Sequence, residues 1–477
     1  MPTKTIWIQG EPDALGGHYS VLSRMARAFT ERGWHVCLLT NEDVGKTIRQ
    51  HSAFDLHEVH LIELPPSQLH GKRWHQLNEA EKADAYIADL RRLKVALEAY
   101  HDPAMHPDAI ITERWPIAAG ICTQVLAGTD RRDNLPMRDT QQHEAKTLID
   151  AIKRMIPLQP DKNNRLPGLL KVAQADTQSV LVASAVRDIS GIISHARHRA
   201  TMTELLKQHC DRVFVLGGSP ALSDFGPSFT GNGRFADKNV TYLGRFFHED
   251  KMPALAYSGD APPILTQVGF SMNNKPELVT EKMAIFKGAI NAWAKSESLR
   301  QHPLHLLLPH DTTAKQRAEL EQLTGGRGDD AGKVQLKQAV KPAEFQALLQ
   351  QAHMLVTAGG AGTCQEALMQ HMPMVILPLS QGSKEQYRRA TLFKQHGLAE
   401  YVPLHTLLSA MSEQGIDALR SAMERACAQD RAALEARIHE NVSMAGMNAM
   451  VDTVDDALTH FDKVRQHRNL QQQARGH

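Results

Sequence analysis

The residues best suited to chemistry lie between Val356 and Arg389, where the chain reads VTAGGAGTCQEALMQHMPMVILPLSQGSKEQYRR. Gly359, Gly360 and Gly362 stand between a strand-like apolar run and a helix-like run. Such a turn lets backbone N–H groups approach an anion closely, and the positive end of the helix dipole favours a diphosphate there. Glu366, three residues after Thr363, is expected in the first turn of that helix, where a carboxylate near a nucleotide can accept both ribose hydroxyls. The same spacing would serve a capping box with Thr363, worth about 1 kcal/mol without any ligand. Beyond Pro378 a polar loop presents Glu385 and Gln386, an acid and an amide able to read sugar hydroxyls.

The elements that must position these groups repeat in two halves. Thr5 to Ile8 reads as a strand, Gly16-Gly17-His18 as a turn, and Tyr19, Val21, Leu22, Met25, Ala26 and Phe29 recur at helical spacing up to a Gly33 cap. Trp34 to Leu39 is the next strand, which completes a βαβ unit. Further strands are expected at Val59–Ile62, Ala109–Thr112, Val180–Ser184, Arg212–Leu216 and Val240–Leu243, with helices at Asn78–Tyr100 and Arg197–His209. After Pro253, Gly259 and Pro262-Pro263 the pattern restarts: strand Ile264–Val268, then Gly269-Phe270-Ser271, then alternating helices and strands to Leu377. The fold class is therefore α/β, two Rossmann-like doubly wound parallel-sheet domains. Expected boundaries are 1–250 with an insertion at about 124–176, a linker at 251–263, a second domain at 264–440 and a helical tail at 441–477. Beyond Asp462 the tail carries Lys463, Arg465, Arg468 and Arg475 without an acid, which reads as a solvated, frayed end.

Composition narrows the classes. The 477 residues carry 54 Lys and Arg against 53 Asp and Glu, a net charge of +1 that argues against nucleic acid as the partner. Hydrophobic residues make up 42% and charged residues 22%, as in ordinary globular protein, and no apolar run approaches the roughly 18 residues of a membrane span. Met1 to Gly10 lacks a basic region and a cleavage site, so it reads as the first strand of a cytoplasmic domain. Five scattered cysteines form no C-x-x-C pair and are expected reduced. The 25 histidines form no H-E-x-x-H, and most read as loop or solvated positions.

The stretch around Gly359 resembles the donor-nucleotide signature of GT-B glycosyltransferases. Gly359, Gly360, Gly362, Thr363, Glu366, Ala367, Pro373, Met374, Val375, Pro378, Gln386 and Ala390 all fall on it, over about 35 residues. In the first half, Gly16-Gly17-His18, Thr112 to Pro116, Val186 to Ile189 and Tyr242 to Arg245 are similar to motifs of the branch that contains the lipid-intermediate N-acetylglucosaminyltransferase of peptidoglycan synthesis.

The resemblance implies transfer of a sugar from a nucleoside-diphosphate donor, usually a UDP-sugar, to an acceptor hydroxyl with inversion. No metal or cofactor is implied, the nucleotide sugar being a substrate, and no D-x-D pair is present to hold a divalent cation. Donor contacts are expected from Gly17, Arg245, Gly269, Ser271, Gly359, Gly360, Gly362, Thr363, Glu366, Glu385 and Gln386. His18 is the first candidate for the base or for a diphosphate contact, since imidazole titrates near neutrality. Glu113 and Asp188 are the rival bases, unless they cap loops or pair with Arg114 and Arg187. Relatives of the macrolide and glucuronosyl type carry a His just before Gly-Gly; Ala358 removes that contact here. The acceptor stays open between a glycan, a lipid-linked sugar and a small molecule, with peripheral membrane contact an option through Lys72, Arg73 and Trp74. Two other readings of the same fold are a UDP-sugar 2-epimerase and a non-catalytic two-domain nucleotide-sugar-binding module.

Overall fold

The computed structural model describes residues 4–9, 17–41, 59–64, 107–113, 181–187, 211–219, 222–223, 240–246, 261–269, 276–324, 332–338, 342–380, 385–408 and 413–460. The expected insertion at 124–176, the helices expected at 78–100 and 197–209, and the basic run after Asp462 lie outside these residues.

Two parallel sheets carry the described chain. The first contains β1 (Thr5–Gln9), β2 (His35–Asn41), β3 (His60–Leu64), β4 (Ala109–Glu113), β5 (Leu181–Arg187), β6 (Arg212–Leu216) and β7 (Val240–Leu243), in the order β3-β2-β1-β4-β5-β6-β7. The second contains β8 (Ile264–Gln267), β9 (Leu304–Leu308), β10 (Val334–Gln338), β11 (Met354–Thr357), β12 (Met374–Ile376) and β13 (Glu400–Tyr401), in the order β10-β9-β8-β11-β12-β13. Both orders reverse direction once, between β1 and β4 and between β8 and β11. In open α/β sheets that reversal opens a crevice beyond the carboxyl ends of the strands, where ligands bind.

Strand composition follows position in the sheet. β8, β9, β11 and β12 are buried along their whole length and read almost continuously apolar, as strands covered on both faces must. β10, at the edge, is nowhere fully buried and alternates apolar with polar residues. The helices are α1 (Gly17–Glu31), α2 (Pro276–Ala294), α3 (Ala314–Thr324), α4 (Pro342–Gln351), α5 (Ala361–Met369), α6 (Glu385–Gln395), α7 (His405–Leu408), α8 (Glu413–Cys427), α9 (Arg431–Asn441) and α10 (447–460). α1 ends as its glycine foretells. Gly33 takes φ +77°, its N–H donates to Thr30 O at 2.8 Å, and Trp34 N–H donates to Phe29 O at 3.0 Å.

The described part of the expected C-terminal helical tail, residues 441–460, packs against the first sheet. The chain leaves α9 at Val442 and crosses back to the first sheet, where Ser443 N–H donates to Gly218 O at 3.0 Å and Arg245 N–H to Ala445 O at 3.0 Å. The approach is close enough that a Cβ on Gly244 would lie 2.0 Å from Ser443 O. Met450, Val451, Val454, Ala457 and Leu458 of α10 then join the core of β1, β2, β4 and α1. Arg32 to Asp452 at 2.7 Å, and an ion pair of Lys4 with Asp455, seal its polar edge.

Among the described cysteines, Cys37, Cys364 and Cys427 are free thiols, and burial pushes Cys37 and Cys427 up to about 12. No described helix is long and apolar enough to cross a membrane.

Candidate active site

The glycine turn after β11 is shaped by two different demands. Gly359 sits at φ +85°, and an added Cβ would come within 2.8 Å of Ile376 Cγ2, so both backbone and space require glycine. Gly360 is the N-cap of α5 in an extended conformation, with no side-chain cap. A Cβ on Gly360 would meet nothing nearer than Thr363 Oγ1 at 4.0 Å. That leaves open space before the first turn of α5, where backbone N–H groups and the helix dipole favour an anion.

α5 starts at Ala361, three residues earlier than the sequence suggests, so Glu366 belongs to its second turn. The Thr363–Glu366 capping box is therefore not formed. Thr363 Oγ1 instead donates to Gln267 Oε1 at 3.4 Å, and Glu366 Oε1 accepts from Gln346 Nε2 at 3.4 Å. Glu366 is mostly buried and faces the first domain, with Arg24 Nη2 of α1 at 3.8 Å. Its neighbour Gln365 donates through Nε2 to Leu216 O at the end of β6, at 3.4 Å. α5 thus forms a wall of the cleft between the two sheets.

Three polar residues that the sequence reading passed over hold this wall. Arg389 of α6 is fully buried; its Nη1 donates to Gly359 O and its Nη2 to Glu385 Oε1, each at 2.8 Å. The fork ties the glycine turn to the first turn of α6. Glu281 of α2, also buried, accepts from Ser380 N–H at 2.9 Å and from the Ser380 hydroxyl, which fixes the loop after β12. Gln267 closes β8 at the reversal of strand order, and its buried Nε2 has no hydrogen-bond partner among the described residues. A buried amide left unpaired is costly. The signals were in the sequence: Gln267 interrupts an apolar strand just before Gly269, and Arg389 stands four residues after Glu385.

The remaining expected residues fall as follows. Gly17 and His18 open α1 just past β1, and Glu113 ends β4, so their backbones stand at the carboxyl edge of the first sheet beside its reversal point. The side chains of His18 and Glu113, and all of Asp188 and Ser271, lie outside the described residues. Gly269 takes φ +111° in open space after β8. Gln386 Oε1 accepts from Leu379 N–H at 3.1 Å and Glu385 pairs with Arg389, so both support the loop from behind. Arg245 stands at the 442–446 crossing, with its N–H bound to Ala445 O. Within the second domain, the expected donor residues come together at one sheet edge.

Residues 300–443 match the family model of the glycosyltransferase family 28 C-terminal domain. The chain has the fold of the GT-B glycosyltransferases. Solved structures of glycosyltransferases share that architecture across its length. The glycosyltransferase of kitacinnamycin is 15% identical with a TM-score of 0.55, over 96% of this chain and 100% of its own. The spinosyn rhamnosyltransferase is 12% identical with a TM-score of 0.53, over 95% and 100%. The glycosyltransferase VinC, solved in complex with dTDP, is 14% identical with a TM-score of 0.52, over 96% and 100%. No match is found among curated proteins. The family 28 match begins at Arg300 and ends at Ser443, so it contains the glycine turn, Glu366 and the Arg389 fork.

Proposed function

We propose that this chain is a glycosyltransferase that moves a sugar from a nucleoside-diphosphate donor, a UDP-sugar in the first instance, to an acceptor hydroxyl, with inversion and without a metal. The observation that carries the proposal is the Gly359–Gly360 turn, locked from behind by Arg389 and open in front at the N-terminus of α5. The dTDP complex of VinC supports a diphosphate in such a fold.

In this reading the acceptor oxygen attacks the anomeric carbon as the bond from that carbon to the diphosphate oxygen breaks. The nucleoside diphosphate leaves with the bonding pair, and backbone N–H groups of the turn stabilise its charge. His18 or Glu113, whose backbones stand at the facing sheet edge, or Asp188 takes the acceptor proton. Glu366 accepts the ribose hydroxyls once it is released from Arg24, and Gln267 Nε2 donates to the bound nucleotide. The motifs of the first half support the branch of the lipid-intermediate N-acetylglucosaminyltransferase. Free thiols support a cytoplasmic setting.

The test is a panel of UDP-, GDP-, dTDP- and CMP-sugars and free nucleotides, read by melting temperature and by donor hydrolysis with and without EDTA. One nucleotide should raise the melting temperature, and its sugar should be hydrolysed slowly in EDTA. If none does so at millimolar concentration, the proposal fails.

A further inference from the structure

On the far side of the second domain, three side chains converge that donor chemistry does not use. His371 lies in the turn between α5 and β12, at the edge where the strands begin, opposite the glycine turn. Glu435 and His439 stand one helical turn apart on the exposed side of α9. One ligand atom from each residue lies within 4.8 Å of the others.

The separations are those of ligands around an ion. His371 Nδ1 is 3.7 Å from Glu435 Oε2, and His439 Nε2 is 3.8 Å from Glu435 Oε1. Both are too long for hydrogen bonds. Ligands bound to tetrahedral zinc at about 2.0–2.2 Å are separated by about 3.4 Å, so side-chain rotations that draw the three ligand atoms in from within 4.8 Å of one another would close the site. The two imidazole rings stand 6.1 Å apart at 52°, which leaves room between them. His371 is also the one non-glycine residue with positive φ among the described residues, at +48°. Its backbone is held in a conformation that L side chains rarely adopt.

We infer that His371, Glu435 and His439 form a binding site for a first-row divalent metal ion of the zinc type, separate from the donor cleft. Two imidazoles and one carboxylate suit zinc, nickel or copper and leave one position for water. The ion would join the end of α5 to α9, the last helix before the chain crosses to the first domain. Arg431 and Arg245 place positive charge near His371 and oppose the ion, so the affinity is moderate.

The test uses the full chain, free of any affinity tag and stripped of metal, titrated with zinc against a chromophoric chelator. Wild type should bind one more equivalent than the His439→Ala and Glu435→Gln variants, whose affinity at this site should fall at least about tenfold. His371→Asn, which tolerates the left-handed backbone, should behave alike. Cobalt should give the intense visible absorption of a four-coordinate ion in wild type and lose it in each variant. Circular dichroism of the metal-free variants reports their folding, and His439, on an exposed helix face, supplies a variant with little structural risk. Equal stoichiometry and affinity for wild type and a folded His439→Ala variant would overturn the inference.

Discussion

At Gly359 and Gly360 adjacent glycines do different work, and substitution should separate them. Gly359→Ala meets both a left-handed backbone and Ile376, so it should lower stability by about 1–3 kcal/mol in urea denaturation. Gly360→Ala should change stability by less than about 1 kcal/mol, because its backbone is ordinary and the space is open, yet its methyl would sit where the proposed diphosphate would lie. Donor affinity, measured by calorimetry, should therefore fall for Gly360→Ala while the fold is kept. Gln267→Met is the converse case. It removes a buried amide nitrogen without a partner among the described residues and, with it, the 3.4 Å acceptor of Thr363, so the unliganded protein should lose at most about 1 kcal/mol while nucleotide binding weakens. Glycine spacing and Glu366 were legible in the sequence because a turn chemistry has a short-range pattern. Arg389 and Glu281 were not, because a buried charge is recognised only by the carbonyl, N–H and carboxylate that the fold brings to it.

Elements were read to within a residue or two wherever an apolar run is bounded by polar residues, as at β4, β6 and β7. β13 escaped notice because two residues make no pattern. The start of α5 was misplaced because a glycine N-cap leaves no side-chain signature. Element junctions also hold the main electrostatic commitments. Arg389→Ala would leave Glu385 and the Gly359 carbonyl without their buried partner and should cost about 3 kcal/mol, detectable in denaturant midpoints. In β9, His305 is buried and its pKa is lowered from 6.5 to about 4, by burial first and by Lys337 second. The unfolded chain therefore binds a proton between these values that the folded chain refuses. The stability this contributes is complete above pH 6.5 and is lost as the pH falls toward about 4. His305→Leu should flatten the dependence of urea stability on pH across that window.

For the molecule as a whole, the crossing at 442–446 matters most. The stripe Met450, Val451, Val454, Ala457 and Leu458 recurs at helical spacing, so its burial was legible in principle; what hid its destination was the distance of more than 400 residues from Met25 and Phe29. A chain ended after residue 446 loses four large buried side chains worth roughly 1.5–3 kcal/mol each, comparable with the stability of a whole domain. Such a chain should lose the folded first domain, seen as loss of cooperative melting, while residues 264–442 keep their two cores apart from the contribution of Leu222. Arg24 and Glu366 face each other across the cleft at 3.8 Å, so Glu366→Gln should weaken nucleotide binding and also alter domain closure in small-angle scattering.

The polypeptide joins the two sheets twice, once between Phe246 and Ala261 and again at 442–446. A body held by one strap can swivel in any direction, whereas one held by two turns like a door, about the line through its fastenings. Two such fastenings favour opening of this cleft about the line through them, and α1 and α5 are the faces that would part and meet.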